Sequence, residues 1–210
     1  MVAIVSPKSP QPEGAEPAWD IARLFPAQGC WSELDYLCLD TNRLVEFTDG
    51  FIEVLAMPTP AHQRIVRYLS EELRAFTRPQ KLGEVLFAPM RVRLRPKKFR
   101  EPDVMFMLAA HKDQKDTDYW NGADILMEVV SEDAQSQTRD HQTKRADYAE
   151  AGIPEYWVID PWEKKVVVLM LEGNGYSTHG EFSSGQSATS HILSGFSIAT
   201  DAIWAAALDE

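Results

Sequence analysis

Three short apolar runs between Arg100 and Asp160 constrain this chain most, because each carries a carboxylate that a plain core rejects. They are Pro102-Asp103-Val104-Met105-Phe106-Met107, Asp124-Ile125-Leu126-Met127-Glu128-Val129-Val130 and Glu155-Tyr156-Trp157-Val158-Ile159-Asp160. Apolar runs of this length read as buried strands. An ionised carboxylate in such a strand costs on the order of several kcal/mol unless a cation, a metal ion or a raised pKa relieves it. Between the second and third runs lies a helical pattern carrying Lys144. The unit is strand–strand–helix–strand, with acids and one lysine where an active site can sit.

A chain of 210 residues, 44% hydrophobic with six tryptophans, has the material for one substantial core and does not require two domains. Residues 1–18, rich in Pro, Glu, Gly, Ala and Ser, read as a disordered tail. Residues 19–210 then form a single domain with its core at about 61–171. No apolar run reaches the ~20 residues of a membrane span, and no charged-then-apolar leader opens the chain. Cys30 and Cys38 lack metal-ligand spacing, which points to a reduced, cytoplasmic protein.

The net charge of −11 argues against a protein that coats nucleic acid. Residues 61–160 are nearly neutral, with 16 basic and 17 acidic side chains. Within them Arg91, Arg93, Arg95, Lys97, Lys98 and Arg100 form a basic run directly before the first acidic strand. Arg91, Arg93, Arg95 and Arg100 are candidate contacts to backbone phosphate, where local field outweighs net charge. A solvated edge strand protected by charge is the competing reading.

Along the chain, Trp19 to Leu39 reads as one or two short helices, with Ser32 able to start one. Leu44–Phe47 and Phe51–Leu55 flank Thr48-Asp49-Gly50, a hairpin signal. From Ala61 the period turns helical, with Ile65, Val66, Leu69, Leu73 and Phe76 on one face. His62 stands at the N-terminal end of that face, where packing or capping competes with a catalytic role. Glu84–Phe87 and Met90–Arg95 read as paired strands, and His111–Gly122 as a polar loop. Ser136 or Thr138 can cap a helix running to Ala151, closed by Gly152. Val166–Leu171 is a further strand. One helix between parallel strands gives an α/β core, a mixed sheet flanked by helices, with an N-terminal helical and hairpin extension.

Asp103 and Glu128 lie on consecutive core strands, so their oxygens can share one divalent ion with water and substrate phosphate. Asp140, Lys144 and Tyr148 are spaced i, i+4, i+8 on one helix face. Tyr148 is read as packing, so Lys144 points at the sheet, with Glu128 its natural partner. A buried Lys–Glu pair without chemistry remains the bland alternative.

These residues resemble the PD-(D/E)xK nuclease superfamily, and more closely its Uma family of restriction endonucleases. The likeness rests on Glu101-Pro102-Asp103-Val104, Glu128-Val129-Val130-Ser131, Asp140…Lys144…Tyr148 and Gly152 through Asp160, with Glu46 and Gly50 in the hairpin and His62 opening the next helix. It covers roughly Trp31 to Leu171. It implies a restriction-endonuclease-like core and metal-dependent hydrolysis of phosphodiesters, DNA before RNA. It also implies Mg²⁺ as cofactor with Mn²⁺ as substitute, and a homodimer for cutting two strands. Asp103 and Glu128, with the Val129 carbonyl, are then the metal ligands, and Lys144 the catalytic lysine, with Glu46 and His62 at the rim. The chain departs from the superfamily at Val130, where the lysine is expected; Lys144 is its replacement from the following helix. A non-catalytic DNA- or protein-binding member on the same fold is the alternative.

Overall fold

In the computed structural model, which describes residues 24–131 and 142–208, the first element among the described residues is helix α1 (Glu33–Leu37). Strands β1 (Val45–Thr48) and β2 (Phe51–Val54) follow, then the long helix α2 (Pro60–Thr77). Next come β3 (Gly83–Phe87), β4 (Arg91–Arg95), β5 (Lys98–Arg100), β6 (Val104–Leu108), β7 (Tyr119–Asn121) and β8 (Ile125–Val129). Helix α3 (Lys144–Glu150) leads into β9 (Glu155–Asp160), β10 (Lys165–Glu172), β11 (Gly175–Ser183), β12 (Ser187–Thr189), β13 (Ser197–Ala199) and helix α4 (Thr200–Ala206). The tail expected at residues 1–18, Asp140 and the capping positions Ser136 and Thr138 lie outside the described residues.

The main sheet has the order β11-β10-β9-β8-β6-β3. Strands β8 and β9 are parallel, and α3 lies in the crossover that parallel pairing requires. Every residue of β8 and β9 is buried. That is why the two runs are continuously apolar rather than alternating: both faces of the sheet are covered. Val104, Phe106, Ile125, Met127, Trp157 and Ile159 pack on one face against Ile65, Val66, Leu69 and Leu73 of α2. Met105, Leu126, Val130, Tyr156 and Val158 form the other core with Val92, Trp120 and Tyr148.

The second sheet, ordered β2-β1-β5-β4-β7, has an aromatic core of Trp31, Tyr36, Phe47 and Phe99. Its hairpin turns on Asp49 (φ 48°) and Gly50 (φ 92°). Two left-handed residues suit the tight two-residue turn that matches strand twist. A side chain at Gly50 would also meet the Gly29 carbonyl at 2.6 Å. Ser32 and Asp35 cap α1 reciprocally.

Two expectations change. Strands β3 and β4 are not partners: β3 pairs with β6, and β4 pairs with β5 and β7 in the other sheet. The chain crosses between sheets at Ala88-Pro89, and the three-residue β5 is too short for periodicity to reveal it as β4's partner. For the same reason β4 is an interior strand, so a solvated edge does not explain its arginines. The polar loop after β6 holds a short 3-10 segment, Ala109–Gln114, and strand β7.

Candidate active site

Asp103 sits one residue before β6, and its carboxylate reaches across to β8, accepting the Val129 N–H at 2.8 Å. The β6–β8 register pairs Val104 with Met127, so its continuation sets Asp103 opposite Glu128. Both acids line one small cavity with His62, Glu101, Val129, Ser131 and Lys144. Its volume is about 40 Å³, room for an ion with a water or two but not a nucleotide.

Helix α2 delivers His62 because Thr59 caps its N-terminus, accepting the His62 N–H, and Pro60 takes the first turn. The imidazole Nε2 lies 3.2 Å from Asp103 Oδ2 and 3.1 Å from the Val129 carbonyl. Both partners are acceptors, so Nε2 carries the hydrogen. Burial opposes charge on His62, but Asp103 and the Val129 carbonyl outweigh it and raise its pKa above the ordinary value. Burial likewise pushes the Asp103 carboxyl up, but His62, Lys144 and the Val129 N–H more than reverse it, leaving the carboxyl below its usual range.

Both oxygens of Glu128 are engaged from α3. Lys144 Nζ is 2.8 Å from Oε2, and Tyr148, one turn on, donates its hydroxyl to Oε1 at 2.6 Å. Burial and the Glu128 charge together push the Tyr148 phenol well above its normal pKa. Val130, two residues past Glu128, packs against Tyr148 in the same core, so no amine reaches the carboxylate from the strand.

Behind Lys144 the charges alternate in sign. Glu46 on β1 is 3.6 Å from Lys144 and 3.4 Å from Arg100. Arg100 makes a two-pronged contact with Asp147 at 2.6 and 3.1 Å, and Asp147 also pairs with Lys98. Each of these side chains is buried.

The structure does not bring the four arginines to one open surface. Arg100 is buried against Asp147 and Glu46. Arg91 lies over the Tyr36 ring at 4.7 Å with Glu101 3.6 Å away. Arg93 pairs with Glu33 at 3.0 Å, and Arg95 with Asp49 at 2.8 Å. Each guanidinium already has an acid within the protein.

The third acid-bearing run does not join the site. Buried Glu155 accepts from Trp157 Nε1, the Ser190 hydroxyl and the His191 and Ile192 N–H groups. Asp160 caps its turn by accepting the Trp162 and Glu163 N–H groups. Asp124 accepts from Leu108 N–H and pairs with His111.

Sequence reasoning misses three participants. Tyr148 reads as packing, although a tyrosine one turn from an inward lysine is placed to share its partner. Asp147 gives no signal on a helix face. Glu101 precedes the Pro102-Asp103 pair, yet its carboxylate lines the cavity and accepts the Val45 N–H at 3.1 Å. Burial is the main reason its pKa is pushed up to about 7, with Val45 and Arg91 opposing.

The Uma2 family model, described as "Putative restriction endonuclease", matches residues 31–201. The chain belongs to the Uma2 family. A crystal structure of a "putative nuclease belonging to DUF820" from Anabaena variabilis covers 87% of this chain and 100% of its own, with a TM-score of 0.68 and 17% identity. At that identity the likeness is one of fold. The curated proteins compared with the chain gave no match. Among the described residues no helix is long and apolar enough to cross a membrane.

Uma2 membership implies a divalent ion, and the donor set fits a hard one. Among the described residues no three His, Cys, Asp or Glu side chains cluster to enclose an ion. Mg²⁺ does not need such a cage: it is held by one or two carboxylates and keeps water for the rest. Asp103, Glu128 and the Val129 carbonyl supply oxygens alone, the hard donors that such an ion takes.

Proposed function

We propose that this protein is a metal-dependent endonuclease that hydrolyses phosphodiester bonds, in DNA before RNA. The observation that carries the reading is Lys144 at 2.8 Å from Glu128 on the wall of the cavity that Asp103 shares. Asp103 and Glu128, with the Val129 carbonyl, would hold Mg²⁺, or Mn²⁺ in its place. The ion supplies Lewis acidity toward the phosphate and lowers the pKa of bound water.

The chain's own residues do the rest. Tyr148 and Lys144 fix the Glu128 carboxylate from two sides. The Lys144 ammonium orients the attacking water and offsets charge that builds on the phosphate. His62 holds Asp103 and the Val129 carbonyl in register from the helix side, and Glu46 faces Lys144 from behind. The cavity is too small for a nucleotide, so the phosphodiester approaches from outside it. Cutting both strands of a duplex calls for two sites related by a two-fold axis, hence a homodimer.

Incubating purified protein with supercoiled plasmid and Mg²⁺ or Mn²⁺ tests the reading. Nicked and linear products that EDTA abolishes and Asp103→Asn lacks are expected. Intact plasmid at every metal concentration, with retarded mobility on gels, favours the non-catalytic DNA-binding alternative.

A further inference from the structure

Lys144 opens the α-helical stretch α3 (Lys144–Glu150), directly after helical backbone at Gln142 and Thr143. Besides Glu128 on the main sheet, a second acid approaches the amine from the smaller sheet. Glu46 on β1 stands 3.6 Å from the amine, farther than Glu128 at 2.8 Å. The other Glu46 oxygen lies 3.4 Å from the Arg100 guanidinium, which Asp147 holds in turn with two contacts. Asp147 belongs to α3, one turn after Lys144. The small sheet therefore grips α3 at both ends of this turn.

We propose that Arg100 is a positioning residue: by taking a share of Glu46, it keeps the Lys144 amine on Glu128 instead of letting Glu46 draw it away. This rests on the nuclease reading for its consequence in rate, but not for the geometry. The Arg100 charge offsets part of the field that Glu46 exerts on the Lys144 amine. Remove it, and the field of buried Glu46 acts on the amine unopposed. The amine has a four-carbon stem and needs only a small swing to change partners. Arg100 is thus not a phosphate contact but the counter-ion that sets where the catalytic amine rests. The pairing also explains what the five-stranded sheet contributes, since β1 and β5 carry Glu46 and Arg100 to the back of the site.

The test is the crystal structure of Arg100→Gln, with kcat, KM and calorimetric Mn²⁺ affinity of the same variant. The amine should move beyond 4 Å from Glu128 and toward Glu46. At saturating metal and substrate, kcat should fall at least tenfold with KM and Mn²⁺ affinity within about threefold of wild type. Adding Glu46→Gln should return the amine to Glu128 and recover most of kcat, which a merely structural role would not do. Arg100→Lys keeps a cation beside Glu46 and should hold kcat within about threefold. It decides the question should Arg100→Gln fail to fold, with a tenfold loss in Arg100→Lys overturning the proposal. An amine that stays within 3 Å of Glu128 in Arg100→Gln overturns it too, as does a kcat loss that Glu46→Gln leaves unrepaired. A wild-type protein that cuts nothing removes the nuclease reading, and the position of the amine then decides alone.

Discussion

Lys144 reaches the Glu128 carboxylate at 2.8 Å from a different element, a helix rather than the strand, while Val130 fills the strand position with an apolar side chain. An amine and a carboxylate that meet this closely under full burial form one unit. Removing the amine should have both a kinetic and a thermodynamic consequence.

Lys144→Met keeps most of the stem and deletes the charge. Cleavage should fall by at least two orders of magnitude, about 2.7 kcal/mol of transition-state stabilisation, while Mn²⁺ still binds. Stranding Glu128 should also lower stability by about 3–5 kcal/mol, the range for a buried pair that loses one partner. Adding Val130→Lys returns an amine beside Glu128 and should recover part of the rate. Wild-type cleavage by Lys144→Met would remove Lys144 from the chemistry.

Glu155→Gln should separate fold from function. Glu155 is fully buried and accepts four hydrogen bonds, from Trp157, Ser190, His191 and Ile192. An amide there turns one acceptor into a donor facing donors. Chemical denaturation should show a loss of about 2–4 kcal/mol, with cleavage per folded molecule unchanged. A rate loss without a stability loss would place Glu155 in the site.

How legible these roles are in the sequence follows from what kind of information each needs. The buried strands, the hairpin at Asp49-Gly50 and helix α2 are local patterns, and periodicity reads them directly. Asp103 and Glu128 stand out because an acid in an apolar run is anomalous wherever it lands. The same anomaly also flags Glu155, three of whose four donors come from a loop far along the chain. Partner choice is not local, which is why β3 and β4 read as a pair and why Arg93 and Arg95 look available for phosphate. Their acids, Glu33 and Asp49, lie on other elements.

Glu101 gives a pH dependence. Its carboxyl is pushed up to about 7, chiefly by burial. A raised carboxyl favours the folded state fully below the unfolded value near 4.3, and that contribution is lost as pH rises through 7. Between pH 4.5 and 8, in EDTA, wild type should lose about 3 kcal/mol more stability than Glu101→Gln. Parallel stability–pH curves for the two proteins would show that Glu101 ionises at its ordinary value.

The most direct measurement for the metal assignment is anomalous diffraction from crystals soaked in Mn²⁺, with Asp103→Asn crystals as control. A single peak should stand between the Asp103 and Glu128 carboxylates, within about 2.4 Å of an oxygen from each and of the Val129 carbonyl. It should vanish or weaken strongly in Asp103→Asn. A wild-type map without density there at saturating Mn²⁺, or with its peak on other residues, would contradict the assignment of Asp103 and Glu128 as the metal site.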